Sequence, residues 1–283
     1  MKKYLLLCVM IAGLYACSTV PISGRRQLSL VSNDEVLSLS LQQYGDYMKT
    51  AKISTDKTAT ALVEKAGRNI AEAVTLYYTA MNQEQELANY QWEFILVDDP
   101  QVNAFCMPGG KIVVYSGILA YTKDETGLAV VVGHEVGHAI ARHANERLSQ
   151  QMASQYGGAG LSALLSKSSS AVQNIGSIVY GLGTEMGVML PYSRKQELEA
   201  DYLGLVLMAI SGYDPSVAAS FWERMSQQQN NRTLEFLSTH PSDNTRIAEI
   251  KRRIPEVMTE YYEPIHGTKP STTAPINTNE WRF

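Results

Sequence analysis

The chain has 283 residues, 45% of them hydrophobic, and a formal charge of −4 scattered along its length. That length can bury a sizeable core, in one large domain or two small ones. The weak, dispersed charge excludes a basic nucleic-acid surface, so no nucleic-acid partner is expected.

Lys2 and Lys3 precede an apolar run from Tyr4 to Gly13, followed by Leu14-Tyr15-Ala16-Cys17. A basic end, a short apolar middle and a small residue before the cut have the form of a secretory signal. The run is too short to span a bilayer. Leu14 to Cys17 resembles the lipobox of bacterial lipoproteins, in which the cysteine is lipidated and becomes the new N-terminus. The resemblance implies a signal peptide over residues 1–16 and acyl chains on Cys17. Ser18, rather than an aspartate, follows, which implies an outer-membrane destination. Of the three cysteines, that leaves Cys106 alone in the mature chain, with no internal disulfide. Flanked by Phe105 and Met107, it reads as apolar filler.

Residues 17–32 are expected to form a lipidated tether and docking strap. Ser32-Asn33-Asp34-Glu35 opens a helix to about Lys49, with acids in its first turn. A second helix begins near Ser54-Thr55-Asp56, where Leu62, Val63, Ala66, Ile70, Ala73 and Val74 recur at helical spacing and form one apolar face. From Trp92 to Val97 the period becomes that of a strand. Val102–Met107 and Lys111–Tyr115 flank Pro108-Gly109-Gly110, a hairpin with glycines at its turn. Asn103, Ala104 and Phe105 are candidates for an edge strand that pairs with an extended substrate.

Lys123-Asp124-Glu125-Thr126 opens the helix that carries His134-Glu135-Val136-Gly137-His138, expected to run to about Arg147. Four residues of helix turn roughly 400°, so both imidazoles leave one face, one turn apart. Glu135 lies about 100° round from His134 and leans over the same place without being a ligand. Two histidines and a glutamate in an apolar segment are costly unless they have a shared purpose. Two nitrogen ligands, a position for water and a carboxylate to take its proton are what zinc hydrolysis requires. Gly133 and Gly137 mark a close backbone approach. His143, about 140° away from the ligand face, is expected beside the ligands or at the surface.

Residues 150–190, rich in Ala, Gly and Ser, suggest two loosely packed helices covering a cleft. A helix through Glu197-Leu-Glu-Ala-Asp201, one starting at Tyr213-Asp214-Pro215, and an amphipathic one from Asn244 to Arg253 follow. From about residue 264 to 283 a disordered tail is expected, leaving 33–263 as the main domain.

A catalytic zinc needs a third protein ligand. Glu197, Glu199, Asp201 and His240 are the downstream candidates. Glu197 and Asp201 share a helix face, and Glu199 lies about 200° from Glu197. One acid of the pair can bind the ion while the other accepts an N–H from a ligating histidine and orients its ring.

His134–His138 followed by Ser193-Arg-Lys-Gln-Glu-Leu-Glu-Ala-Asp201 resembles the M48 family of zinc metallopeptidases. Asn103–Lys111 and Thr239-His240-Pro241 followed by Arg246 also match that family. The likeness covers roughly residues 27–253 and is nearest to the small soluble periplasmic lipoprotein members. It implies an α+β fold: a predominantly helical zincin-type domain with a small three-stranded sheet and hairpin beside the motif helix. It implies one zinc ion per chain on His134, His138 and Glu197, with Asp201, Arg194 and Arg246 around the ligands and Glu135 as the base. His240 is the candidate oxyanion donor; in periplasmic relatives the matching histidine can instead approach the metal and hold the site closed. The expected partners are the membrane, through lipid on Cys17, and misfolded or stalled envelope proteins as substrates. The rival expectations are a chaperone or assembly factor with a plugged zinc site, which would not need Glu135, and another zinc hydrolase such as an esterase.

Overall fold

The computed structural model describes residues 17–153, 193–227, 235–241 and 244–267. The cover expected over 150–190 lies almost wholly outside these residues, as does the segment 1–16 expected to be a signal peptide.

The strap is a hairpin. Strand β1 (Cys17–Thr19) pairs antiparallel with β2 (Arg26–Leu28), Ser18 opposite Gln27. Helix α1 (Asn33–Met48) is capped by Ser32, whose hydroxyl accepts the Glu35 N–H. Helix α2 (Lys57–Ala80) is capped by Asp56, which accepts from Thr58 and Ala59. Its buried face is the expected one: Val63, Ala66, Ile70, Ala73 and Val74, with Leu62 partly buried.

Strands β3 (Glu93–Val97), β4 (Ala104–Met107) and β5 (Lys111–Tyr115) form one sheet in the order β3-β5-β4. β3 runs parallel to β5, and β4 antiparallel to it. Gly109 and Gly110 hold φ of +90° and +84° in the β4–β5 turn, a left-handed backbone that side chains resist. The outer side of β3 is paired with the segment around Ile53. β4 is therefore the edge that faces the motif helix.

That helix, α3 (Glu125–Ile140), is capped by Asp124 and buried from Gly127 onward. It does not reach Arg147 in one piece. Arg142 adopts φ +55°, and a separate helix, α4, occupies 143–153. The bond from the Arg142 N–H to the Ala139 carbonyl tightens the end of α3 and turns the chain back.

Helix α5 (Arg194–Ile210) starts with a capping box, Ser193 and Gln196 satisfying each other's backbone N–H groups. It crosses α3 backbone against backbone. A Cβ on Gly137 would lie 2.8 Å from the Ala200 carbonyl, and one on Gly204 would lie 3.0 Å from His134 N. This contact brings Glu197 and Asp201 up to the histidines.

Helices α6 (Val217–Gln227), α7 (Glu235–Thr239) and α8 (Asn244–Val257) complete the body. Their Phe221, Trp222, Phe236 and Ile250 join α2, α3 and α5 in the main core. A smaller core lies on the other side of the sheet, where Val36, Phe105, Met107, Val113 and Leu148 meet. α8 continues through Pro255, and helical turns reach His266, whose ring approaches the Ile210 carbonyl at 3.1 Å. The last helical turn, Glu263–His266, lies at the boundary expected at 263, and Val257 and Tyr262 just before it are buried against the core. The fold is α+β and predominantly helical, as the sequence led one to expect.

Candidate active site

His134 and His138 project from one face of α3, with their Nε2 atoms 3.1 Å apart. From α5, Glu197 brings Oε2 to 3.4 Å from His134 Nε2 and Oε1 to 3.3 Å from His138 Nε2. From the end of α7, His240 places Nδ1 3.1 Å from both His134 Nε2 and Glu197 Oε1. All four groups are buried, and one ligand atom from each lies within 4.8 Å of the others.

These residues fit a zinc ion. Four ligands at ~2.0–2.1 Å in a tetrahedron stand about 3.3 Å from one another, close to the separations here. Ring nitrogens facing each other at 3.1 Å repel unless a cation or a proton sits between them. Glu197 Oε2 and Glu135 Oε1 are buried and lack an aligned hydrogen-bond donor among the described residues, although Arg246 Nη1 lies 2.7 Å from the first and His240 Nε2 3.3 Å from the second. Glu135, Glu197 and Asp201 outnumber the single guanidinium of Arg246, an excess of negative charge that favours a dication. When bound, zinc supplies Lewis-acid activation of a water molecule.

The residues around the ligands orient them. His134 Nδ1 donates to Asp201 Oδ1 at 2.9 Å, which leaves Nε2 bare for the ion. Arg246, 1% exposed, donates from Nε and Nη2 to Asp201 at 2.5 and 2.8 Å. Its Nη1 lies 2.7 Å from Glu197 Oε2, and its guanidinium stacks 3.6 Å above the Trp222 ring. Arg194 lies in the first turn of α5, where it is exposed.

Charge follows burial and partners. Burial opposes ionisation of Glu197, yet Arg246, His240 and His134 hold its carboxyl well below the usual range. Asp201 is likewise held low against burial, chiefly by Arg246. Burial drives His138 well below its ordinary value, so the ring is neutral and able to bind metal. Burial and Arg246 press His134 downward, but Asp201 and Glu197 outweigh them and raise it. Burial pushes Glu135 up to about 7; a bound dication opposes that rise.

Glu135 stands at the edge of β4. Its Oε2 accepts the Cys106 N–H at 3.1 Å, and Oε1 lies 3.3 Å from His240 Nε2. The Asn103 carbonyl accepts from Tyr115 on β5, so by strand alternation Ala104 and Cys106 turn their main-chain groups outward. Ala104 and Phe105 are 1% and 2% exposed. Phe105 packs edge-on against Tyr47. Both side chains are thus in the core, and what the edge offers is backbone. Cys106 is buried, as expected of a filler.

His143 and Glu199 are nearer the chemistry than sequence spacing suggests. His143, 0% exposed, sets Nδ1 2.8 Å from His138 Nδ1, and its Nε2 reaches Glu199 Oε2 at 2.9 Å. The surface alternative for His143 is overturned by the break at Arg142, which swings the ring back towards His138. No spacing rule reveals that break; a left-handed arginine leaves no trace in the sequence.

A family model described as Peptidase family M48 matches residues 68–254. The chain is 34% identical over 262 residues to the mitochondrial metalloendopeptidase OMA1 of Schizosaccharomyces pombe, covering 89% of this chain and 71% of that protein. It is 30% identical to the human metalloendopeptidase OMA1, covering 84% of this chain and 46% of that one. The Escherichia coli beta-barrel assembly-enhancing protease is 31% identical over 167 residues, 57% of this chain and 34% of the relative. The chain therefore spans less than half of these last two proteins. The matched segment contains His134, Glu135, His138, Glu197 and His240, and the chain belongs to peptidase family M48 as a zinc metalloendopeptidase.

Proposed function

We propose that this protein is a lipid-anchored endopeptidase of a bacterial envelope, with His134, His138 and Glu197 as zinc ligands, that cleaves misfolded or stalled envelope proteins. The observation that carries the reading is Glu135, poised between the ligand cluster and the outward backbone of β4. An extended, unfolded chain can add to that edge as a strand through the carbonyls of Ala104 and Cys106, whose N–H groups donate to Asn103 Oδ1 and Glu135 Oε2. Folded proteins hold their backbone groups in their own structure and offer no such strand.

Glu135 takes the proton of the attacking water and returns it to the leaving amine. The Cys106 N–H holds its carboxylate in place for both transfers. Asp201 and Arg246 keep the His134 ring from turning. The anchoring half of the proposal is supported by the lipobox-like Leu14–Cys17 and by the exposed start of β1 at Cys17. The name of the E. coli relative points to an envelope, although others of the relatives are mitochondrial by name. Among the described residues no helix is long and apolar enough to cross a membrane.

The test pairs two measurements. A reduced, unfolded protein should be cut while its native form is spared, and Cys17→Ala should move the chain from the membrane to the soluble fraction. Equal cutting of native and unfolded forms would sink the substrate class. A Cys17→Ala protein that stays on the membrane would sink the anchor.

A second reading of His240 has its own observation. His240 occupies a corner of the ligand cluster, and the same segment donates the Phe236 N–H to the Val102 carbonyl at 3.0 Å, just before β4. One short segment thus covers both the metal corner and one end of the substrate edge. This favours the form in which His240 holds the site closed over the oxyanion donor role. His240→Ala should then raise peptide cleavage several-fold at unchanged zinc content. A fall in activity would restore the donor role, and no change in either quantity would remove His240 from the chemistry.

A further inference from the structure

The strap reaches the metal cluster from the opposite end of the chain. Gln27 donates to the Ala141 carbonyl, and the Leu30 N–H donates to Ser149, so the segment lies along α4. Between the two strands, Arg25 turns inward. Its Nη1 and Nη2 grip Glu146 at 2.7 and 2.8 Å, and its Nε donates to Glu199 Oε2 at 2.6 Å. The Ser23 hydroxyl donates to the other oxygen of Glu199. Glu146 also accepts from the Gln196 amide at 2.8 Å, next in sequence to Glu197.

The direction of each bond follows from one end. His138 Nε2 faces the ligand cluster, so its proton is on Nδ1 and is donated to His143 Nδ1. His143 must then carry its own proton on Nε2, which it donates to Glu199. Glu199, with both oxygens engaged, needs the positive partner that Arg25 supplies, because it is only 7% exposed.

We propose that Arg25, in the N-terminal hairpin, is a positioning residue for the metal ligand His138, acting through Glu199 and His143. It rests on the assignment of His138 as a zinc ligand. Without Arg25, Glu199 loses the donor that fixes its Oε2 and turns towards solvent. His143 then loses the acceptor that orients it and turns, which takes the acceptor away from His138 Nδ1 and releases the ring. The orientation of His138 therefore depends on Arg25, a residue of the strap. The strap that carries Cys17 is part of the metal centre as well as a tether.

The experiment measures zinc affinity by chelator competition in the full-length protein, with thermal unfolding of the metal-free form alongside. Arg25→Ala and Glu199→Gln should each weaken zinc binding by ~10–100-fold, the usual effect of losing a ligand's orienting partner. The double variant should be no weaker than Glu199→Gln alone. Ser149→Ala, which removes the acceptor of the Leu30 N–H in the strap and touches neither Arg25 nor Glu199, should keep its zinc affinity. The visible spectrum of the cobalt-substituted protein should shift in Arg25→Ala and not in Ser149→Ala. Unchanged affinity in Arg25→Ala, additive losses in the double variant, or an equal loss in Ser149→Ala would each overturn the proposal. If Arg25→Ala does not fold, Ser23→Ala at the same carboxylate should show a smaller loss that vanishes in the Glu199→Gln background; its persistence there would overturn the proposal too. His138→Ala separates the two layers. Zinc retained in that variant overturns the ligand assignment itself, whereas zinc lost there but kept in Arg25→Ala overturns only the role of Arg25.

Discussion

Glu135→Gln should abolish cleavage of an unfolded protein, lowering kcat by ~10²–10⁴-fold, the contribution of a positioned general base, while zinc content stays the same. The amide has the size of the carboxylate and keeps an oxygen for the Cys106 N–H, so the fold and the β4 edge remain. It cannot take a proton from water. Glu135 is not among the four clustered ligand groups, so the ion has no reason to leave. Burial already opposes the charge on this group; the variant should therefore be at least as stable as the parent. Hydrolysis of a labelled unfolded protein, with metal analysis of both samples, checks each part. Full residual activity would remove Glu135 as the base, and loss of zinc would make it a ligand.

Arg246→Met should destabilise the metal-free protein by about 3–5 kcal/mol, the cost of breaking a buried ion pair from one side. Methionine keeps much of the volume against Trp222 but leaves Glu197 and Asp201 buried without their guanidinium. The pH dependence has a definite sign. In the parent, Asp201 and Glu197 are held below their ordinary values despite burial, with Arg246 the first counter-charge for both. A depressed carboxylate adds stability above its unfolded pKa of about 4, and that stability is lost as pH falls towards the folded value. Without Arg246 the contribution disappears, so the deficit should be greatest near neutral pH and shrink on acidification. Zinc should recover part of it, since the ion replaces the missing positive charge. Urea unfolding of parent and variant at several pH values, with and without metal, measures all three. A deficit that is flat with pH would mean that Arg246 acts through packing on Trp222 alone.

The local part of the site was legible in the chain. Spacings of four on a helix put His134 over His138 and Glu197 over Asp201, and Ser32 and Asp56 stood in the stretches that announced helix starts. Glycines at 109 and 110 marked the turn that makes β4 an edge, and Gly133 and Gly137 marked the close crossing that α5 fills. These features were readable because helix period, capping and left-handed turns depend on residues within a few positions of one another.

The tertiary structure decided which groups meet across that crossing. Arg246 neutralises the ligands because α8 packs over α5. His143 joins His138 because one arginine bends the chain, and Glu199 turns from a candidate ligand into its buried acceptor. Phe105 belongs to the core because α1 covers that face of the sheet. Arg25 reaches Glu199 across 174 positions of sequence. Such pairings depend on how rigid elements dock, a balance of buried area, charge and chain connection summed over the whole molecule. No local period in the amino-acid sequence records it.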